Sequence, residues 1–286
     1  MIQKILFPVD FSASCSAMAP YVKRAADVFN ARVTLVHVFE PLGHGGFELA
    51  LRPPSEVMEE HAICARNKLE SFMVAEFPAG RCTRVVLSGD TATQIVHHST
   101  VGEFDLIVMP THAGHFRRML LGSTTAKVLN DADCPVLTSQ HAQTIAPRPL
   151  EHREWVCAIG LSADSQRVLR LASEAAAAAR ARLTVIHAIP DCHPALRQQL
   201  ELSERGQPVE KPEVLRRLEE LKRAAGSDAT IRVACSPVKD ALLEAARRLD
   251  ADVLMIGRSP QPGALGRMRD LTYALVRESP CPVLSV

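Results

Sequence analysis

Three short stretches in the first half of the chain carry residue types suited to holding a phosphorylated ligand. One is Pro8-Val9-Asp10, at the end of an apolar run. The second is Met109-Pro110-Thr111-His112-Ala113-Gly114, followed by the basic pair Arg117-Arg118. The third is Gly122-Ser123-Thr124, which opens an amphipathic segment. Glycine lets a backbone approach a phosphate closely, and the first turn of a helix offers unpaired N–H groups at the positive end of its dipole. Serine and threonine hydroxyls add donors. Asp10 can accept hydrogen bonds from a base or a sugar, and it can equally cap its own turn; both readings stand. Val38 ends a second apolar run and would supply an apolar wall. His112 has no nearby carboxylate or nucleophile in sequence, and Arg117 and Arg118 read as a solvated face as readily as a clamp. The chemistry expected of this set is binding, with slow hydrolysis of the bound ligand at most.

These stretches need a scaffold that gathers them. Lys4–Val9, Arg32–Phe39, Arg84–Leu87, Asp105–Met109 and Val136–Thr138 are apolar, β-rich runs without polar alternation. That pattern belongs to strands covered on both faces. Between them, Ser12–Phe29, Glu56–Glu76, Thr91–Ser99 and Ser123–Asn130 read as helices, with Ser12 or Ser14 available as the first N-cap. Alternating strands and helices predict a parallel sheet, and ligands of such sheets sit outside the carboxyl ends of the strands. All three stretches follow strand ends.

The pattern then recurs. Ala31-Arg-Val-Thr-Leu-Val-His37 returns as Ala181-Arg-Leu-Thr-Val-Ile-His187, 150 residues on, with Ser12-Ala13 falling on Ser162-Ala163. Cys134-Pro-Val-Leu137 returns as Cys281-Pro-Val-Leu284 at an offset of 147, with Asp105 on Asp252. Two ordered blocks mean a duplicated domain. The second copy reads as strands over Trp155–Ile159, Leu183–Ile189, Ile231–Cys235, Asp252–Ile256 and Val283–Val286. Its helices fall over Ser165–Arg180, Pro212–Ala225, Lys239–Leu249 and Met268–Arg277. The expected organisation is a first domain over 1–140, a linker over 141–154 and a second domain over 155–286. Each domain is a doubly wound α/β unit with a five-stranded parallel sheet.

Composition limits the function further. Hydrophobic residues are 47% and charged residues 23% of 286, ordinary for a globular protein. Lys+Arg number 33 against Asp+Glu 32, without the basic excess of a nucleic-acid footprint. The opening MIQKILFPVD has no basic-then-apolar leader, and no apolar run approaches membrane-spanning length, so a cytoplasmic protein without membrane contact is expected. Eight scattered cysteines, none in a C-x-x-C pair, are expected to be reduced thiols rather than disulfides or zinc ligands. His97 and His98 are adjacent and diverge on a helix, so no metal site is expected there.

The V-D-x-S opening at Val9–Ser12, the V-H-V of Val36–Val38, the D-L-I-V-M of Asp105–Met109, the Gly122-Ser123 helix start and the C-P-V-L of Cys134–Leu137 resemble the universal stress proteins. The resemblance covers both halves. It implies the adenine nucleotide alpha hydrolase-like fold and a stress-response regulator that binds ATP, with or without Mg²⁺. Pro8, Val9, Asp10, Val38, Met109, Pro110, Thr111, Ala113, Gly114, Gly122, Ser123 and Thr124 would line its nucleotide site. The family's nucleotide-binding pattern is G-x-x-G, nine residues, then G-S or G-T. Here Pro110 and Ala113 occupy the glycine positions with eight residues before Gly122, or seven if Gly114 takes the second role. The second copy departs further: Asp10 falls on Gly160, Pro110 on Gly257, Gly122 on Arg269 and Ser123 on Asp270. A carboxylate at that helix start repels phosphate, so nucleotide binding is expected in the first domain alone. The second is then a degenerate copy pairing with the first inside one chain, and a homodimer of chains is a further expectation. The alternative is a tandem scaffold that binds no nucleotide and acts through protein contacts.

Overall fold

A computed structural model describes residues 2–40, 54–111, 121–140, 154–204, 212–258 and 270–286. The chain divides into two compact units. The first holds β1 (Lys4–Pro8), α1 (Ala13–Phe29), β2 (Arg32–Phe39), α2 (Pro54–Ser71), β3 (Cys82–Ser88), α3 (Thr91–Val101), β4 (Leu106–Pro110), α4 (Ser123–Asp131) and β5 (Val136–Ser139). The second holds β6 (Glu154–Ala158), α5 (Ser165–Ala178), β7 (Arg182–Ala188), α6 (Pro194–Glu204), α7 (Glu213–Ala224), β8 (Thr230–Ala234), α8 (Val238–Arg248), β9 (Val253–Ile256), α9 (Asp270–Glu278) and β10 (Val283–Ser285).

In the first unit the strands lie in the order β3-β2-β1-β4-β5 and in the second β10-β9-β6-β7-β8. The pairings between them are parallel: β1 with β2 and β4, β2 with β3, β4 with β5, β6 with β7 and β9, β7 with β8, and β9 with β10. Strand order therefore reverses beside β1 and beside β6. The central strands are sealed on both faces: Ile5, Leu6, Phe7, Ile107, Val108, Val156 and Leu254 have no exposed surface. This is why they lack polar alternation.

The duplication extends to individual hydrogen bonds. Asp105 Oδ2 accepts from the Lys4 N–H at 2.9 Å, and Asp252 Oδ2 from the Glu154 N–H at 3.1 Å. The Ala31 N–H donates to the Ala26 carbonyl at 2.9 Å, and the Ala181 N–H to that of Ala176 at 2.8 Å, past left-handed Asn30 and Arg180 at φ 51° and 56°. Repeated residues thus do the same local work in both copies.

Two expectations need correction. The helix α6 carries Pro at its first position and Leu196 and Leu200 four residues apart, a short pattern easily passed over as loop. The cysteines are not all thiols: Cys192 and Cys235, 43 residues apart, form a disulfide with Cα atoms at 5.3 Å. The first follows β7 and the second follows β8, so adjacent parallel strands deliver them together. The remaining six cysteines are not disulfide-bonded. Burial pushes the thiols of Cys15 and Cys157 up to about 12. The expected linker lies almost wholly outside the described residues, and β6 begins at its last member, Glu154.

Candidate functional site

The carboxyl edge of the first sheet gathers the ends of β1, β2 and β4 with the start of α4. Val9 extends β1 by donating its N–H to the Val36 carbonyl at 2.8 Å, and its own carbonyl contacts His37 Nδ1 at 2.7 Å. His37 is therefore a half-buried structural residue. Pro8 is half-buried, while Val9, Val38 and Met109 are buried. Asp10 is exposed, and its Oδ1 accepts the Ser12 N–H at 2.9 Å. The turn-capping reading of Asp10 is thus realised for one oxygen. Ser12 is the N-cap of α1, its Oγ accepting the Cys15 N–H at 3.1 Å. Between them Phe11 adopts a left-handed φ of 61°. Its ring packs on His37 and edge-on to Phe72, with the Lys68 ammonium 4.3 Å from its centre.

The start of α4 is anchored by backbone and threonine, and its N-cap residue makes no side-chain cap hydrogen bond. The Gly122 N–H donates to the Thr111 carbonyl at 2.8 Å, and Thr125 Oγ1 donates to the Pro110 carbonyl at 3.0 Å. The N-cap is Gly122, which offers no side-chain cap; Ser123 is exposed and Thr124 half-buried. Among the described residues, the first-turn N–H groups of α4 are thereby left without a carboxylate or hydroxyl cap from the N-cap position, beside two hydroxyl side chains. Thr111 is buried and its N–H donates to the Ser139 carbonyl at 3.4 Å. Pro110, half-buried, ends β4. Ala113 and Gly114 lie outside the described residues, as do His112, Arg117 and Arg118.

The equivalent edge of the second unit has the same frame. Ile159 donates its N–H to Ile186 at 3.0 Å and contacts His187 Nδ1 through its carbonyl at 2.9 Å. The Arg258 N–H donates to Val286, as Thr111 does to Ser139. The contents differ. Gly160 has no carboxylate to hold Ser162, and Ser165 Oγ takes over: it accepts the Ser162 N–H at 3.1 Å and donates to the Gly160 carbonyl at 3.0 Å. Buried Arg258 stands where the first unit has Thr111. The helix α9 begins at Asp270, whose side chain, with Arg269, lies outside the described residues. Among the described residues no group of three or more His, Cys, Asp or Glu side chains is placed to hold a metal ion. Nor, among them, is any helix long and apolar enough to cross a membrane.

The model of the universal stress protein family matches the chain twice, over residues 1–139 and 153–286. The chain belongs to this family. It is a tandem universal stress protein, and both units carry the family's nucleotide alpha hydrolase-like fold. The universal stress protein in the QAH/OAS sulfhydrylase 3′ region of Thermus aquaticus is 32% identical over 142 residues, which are 48% of this chain and 98% of that protein. A universal stress protein of Methanocaldococcus jannaschii is 31% identical over 144 residues, 48% of this chain and 81% of that protein. Each relative thus matches half of the tandem protein. A crystal structure of a universal stress protein from Archaeoglobus fulgidus matches across both units, with a TM-score of 0.72 and 20% identity over 99% of this chain and 97% of that one. That likeness speaks to fold.

Sequence reasoning missed the Cys192–Cys235 pair. The signal that could have found it was position: each cysteine directly follows, or follows within a few residues, the carboxyl end of one of two neighbouring strands.

Proposed function

We propose that this universal stress protein is a cytoplasmic regulator that binds an adenine nucleotide, ATP with or without Mg²⁺, at the carboxyl edge of its first unit and not at that of its second. The observation that carries the reading is the start of α4. Gly122 is held against the end of β4 by its N–H on Thr111 and by Thr125 on Pro110, so the uncapped first turn is fixed in place. Preorganised donors of this kind suit a polyphosphate, because no capping side chain must be displaced before the anion docks. Val9, Val38 and Met109 form apolar surroundings, and the second oxygen of Asp10 would take the sugar or base. Ala113 and Gly114 complete the proposed site. Binding would alter the surface offered to partners.

The test is isothermal titration of the nucleotide-stripped chain with ATP and Mg²⁺. One site per chain, lost in Ser123→Asp and retained in Asp270→Ala, supports the proposal. Absence of heat together with an unchanged melting temperature sinks it. The altered glycine positions Pro110 and Ala113 favour a second reading, a tandem scaffold acting through protein contacts; that reading predicts partner capture indifferent to ATP.

A further inference from the structure

We propose that Cys192 and Cys235 form a reversible thiol–disulfide exchange site, taking a low-molecular-weight disulfide as co-reactant, and that its redox state controls whether α6 is docked on the second unit. The pair is peculiar to the second copy. Ser88 ends β3 where Cys235 follows β8, and the 150-residue offset puts Leu42 at the position of Cys192. Neither cysteine is buried: both are half-exposed, so a small reagent reaches the sulfurs without unfolding the core. This separates them from Cys15 and Cys157, which are fully buried.

The attachments of α6 converge on this pair. Cys192 lies two residues before the helix, and the Arg197 N–H donates to the His193 carbonyl at 3.0 Å to open the first turn. The Arg197 guanidinium donates to the Cys235 carbonyl at 3.2 Å. Beyond these, Leu200 is the one buried side chain among the helix residues whose burial is described. A helix of 11 residues with so narrow a buried face is marginal by itself. Among the described residues, cutting the covalent link leaves the Arg197–Cys235 hydrogen bond, buried Leu200 and the half-buried Leu196 and Leu202 to hold it.

The chemistry balances as two exchanges. One protein thiolate attacks the reagent disulfide, forming a mixed disulfide and releasing one thiol. The second protein thiolate then attacks the protein-side sulfur, closing the Cys192–Cys235 bond and releasing the second thiol. Two electrons pass from the protein dithiol to the reagent, and each attacking thiol gives up its proton. The Arg197 charge beside Cys235 favours an anionic reagent such as glutathione disulfide.

The test uses the whole chain equilibrated in glutathione buffers of graded oxidised-to-reduced ratio, then quenched, alkylated after denaturation and mapped by peptide mass. Cys192 and Cys235 are expected to gain and lose alkylation together, two sites between fully reducing and fully oxidising buffer. Amide exchange over 194–204 should be at least about tenfold faster in the reduced protein, with α4 unchanged. A pair that stays oxidised in excess reduced glutathione overturns the proposal. So does one that stays reduced in oxidised glutathione or halts at a mixed disulfide, and so does exchange over α6 that ignores the redox state. The Cys192→Ser, Cys235→Ser double variant should show the fast exchange in both buffers; slow exchange there also overturns the proposal. If that variant does not fold, the glutathione series on the unaltered chain decides the matter.

Discussion

The carboxyl edges of the two sheets are built on one frame and filled differently. Both use a histidine in the second strand to hold the carbonyl after the first strand, His37 on Val9 and His187 on Ile159. In the first unit the turn after β1 is held by Asp10, and in the second by Ser165 working from the other side of the same turn. The first unit leaves the start of α4 uncapped beside Ser123 and Thr124, whereas the second places Asp270 at the start of α9 and closes its β7–β8 corner with a disulfide. The difference teaches that the turn itself does not require a carboxylate. Asp10 performs a structural task that another residue performs equally in the sister unit, so its exposed second oxygen is available for a ligand.

The largest effect that would sharpen this contrast is reduction of the disulfide. Closing a loop of 43 residues removes chain entropy worth about 4 kcal/mol. Urea unfolding with and without dithiothreitol, followed by amide exchange on β7 and β8, should show that loss in the second unit and no change in β1 or β2. Equal loss in both units would break the comparison.

Next is Ser123→Asp, which gives the first unit the carboxylate of the second. Aspartate suits the first turn of a helix, so folding is retained. A like charge within a few ångströms of a bound phosphate costs about 3 kcal/mol, roughly a hundredfold in Kd by titration calorimetry. Unchanged affinity would move the nucleotide away from α4.

Exchange of the turn devices has a smaller effect. Asp10→Gly should destabilise by about 1 kcal/mol through the lost Ser12 bond. Adding Cys15→Ser, the counterpart of Ser165, should restore most of it in urea melts without restoring nucleotide affinity. Recovery of both would mean that Asp10 acts on the ligand only through the turn.

The smallest effect concerns pH. Asp90 caps α3 and pairs with Lys127 at 2.8 Å, while Glu278 pairs with Arg277 and Lys239, so the second unit joins α8 to α9 with the charges exchanged. Lys127 holds the Asp90 carboxyl far below its ordinary range, and Arg277, then Lys239, hold Glu278 low. With folded values depressed, these groups stabilise the protein above the ordinary carboxylate range, and the contribution is lost as pH falls toward the folded values. Asp90 is exposed and Glu278 half-exposed, so the effect is slight. The melting-temperature gap between the unaltered chain and Asp90→Asn should shrink on acidification; a widening gap would reverse the sign.

Much of the frame was legible in the residues. The strand Leu106–Pro110 is apolar throughout because both its faces are covered, and the recurrence of His37 as His187 and of Cys-Pro-Val-Leu reports the hydrogen bonds those residues make twice. The helix α6 was not legible, because one buried leucine in 11 residues leaves almost no periodicity to read. Beside the proposed site, Ser12 and Ser14 are equal candidates for the α1 cap in the sequence, and the Cys15 N–H donating to Ser12 Oγ decides between them.

Local pattern by itself determined the duplication, the alternation of strands and helices, and the clustering of Asp10, Pro110 and Gly122 at strand ends. Each of these follows from the period of side chains along a strand or helix, which neighbouring residues carry. Only the tertiary structure decided that Thr125 locks α4 to Pro110, that Ser165 replaces Asp10, and that Cys192 meets Cys235. These depend on register between elements distant in sequence, which is set by how whole strands and helices pack rather than by any residue's immediate neighbours.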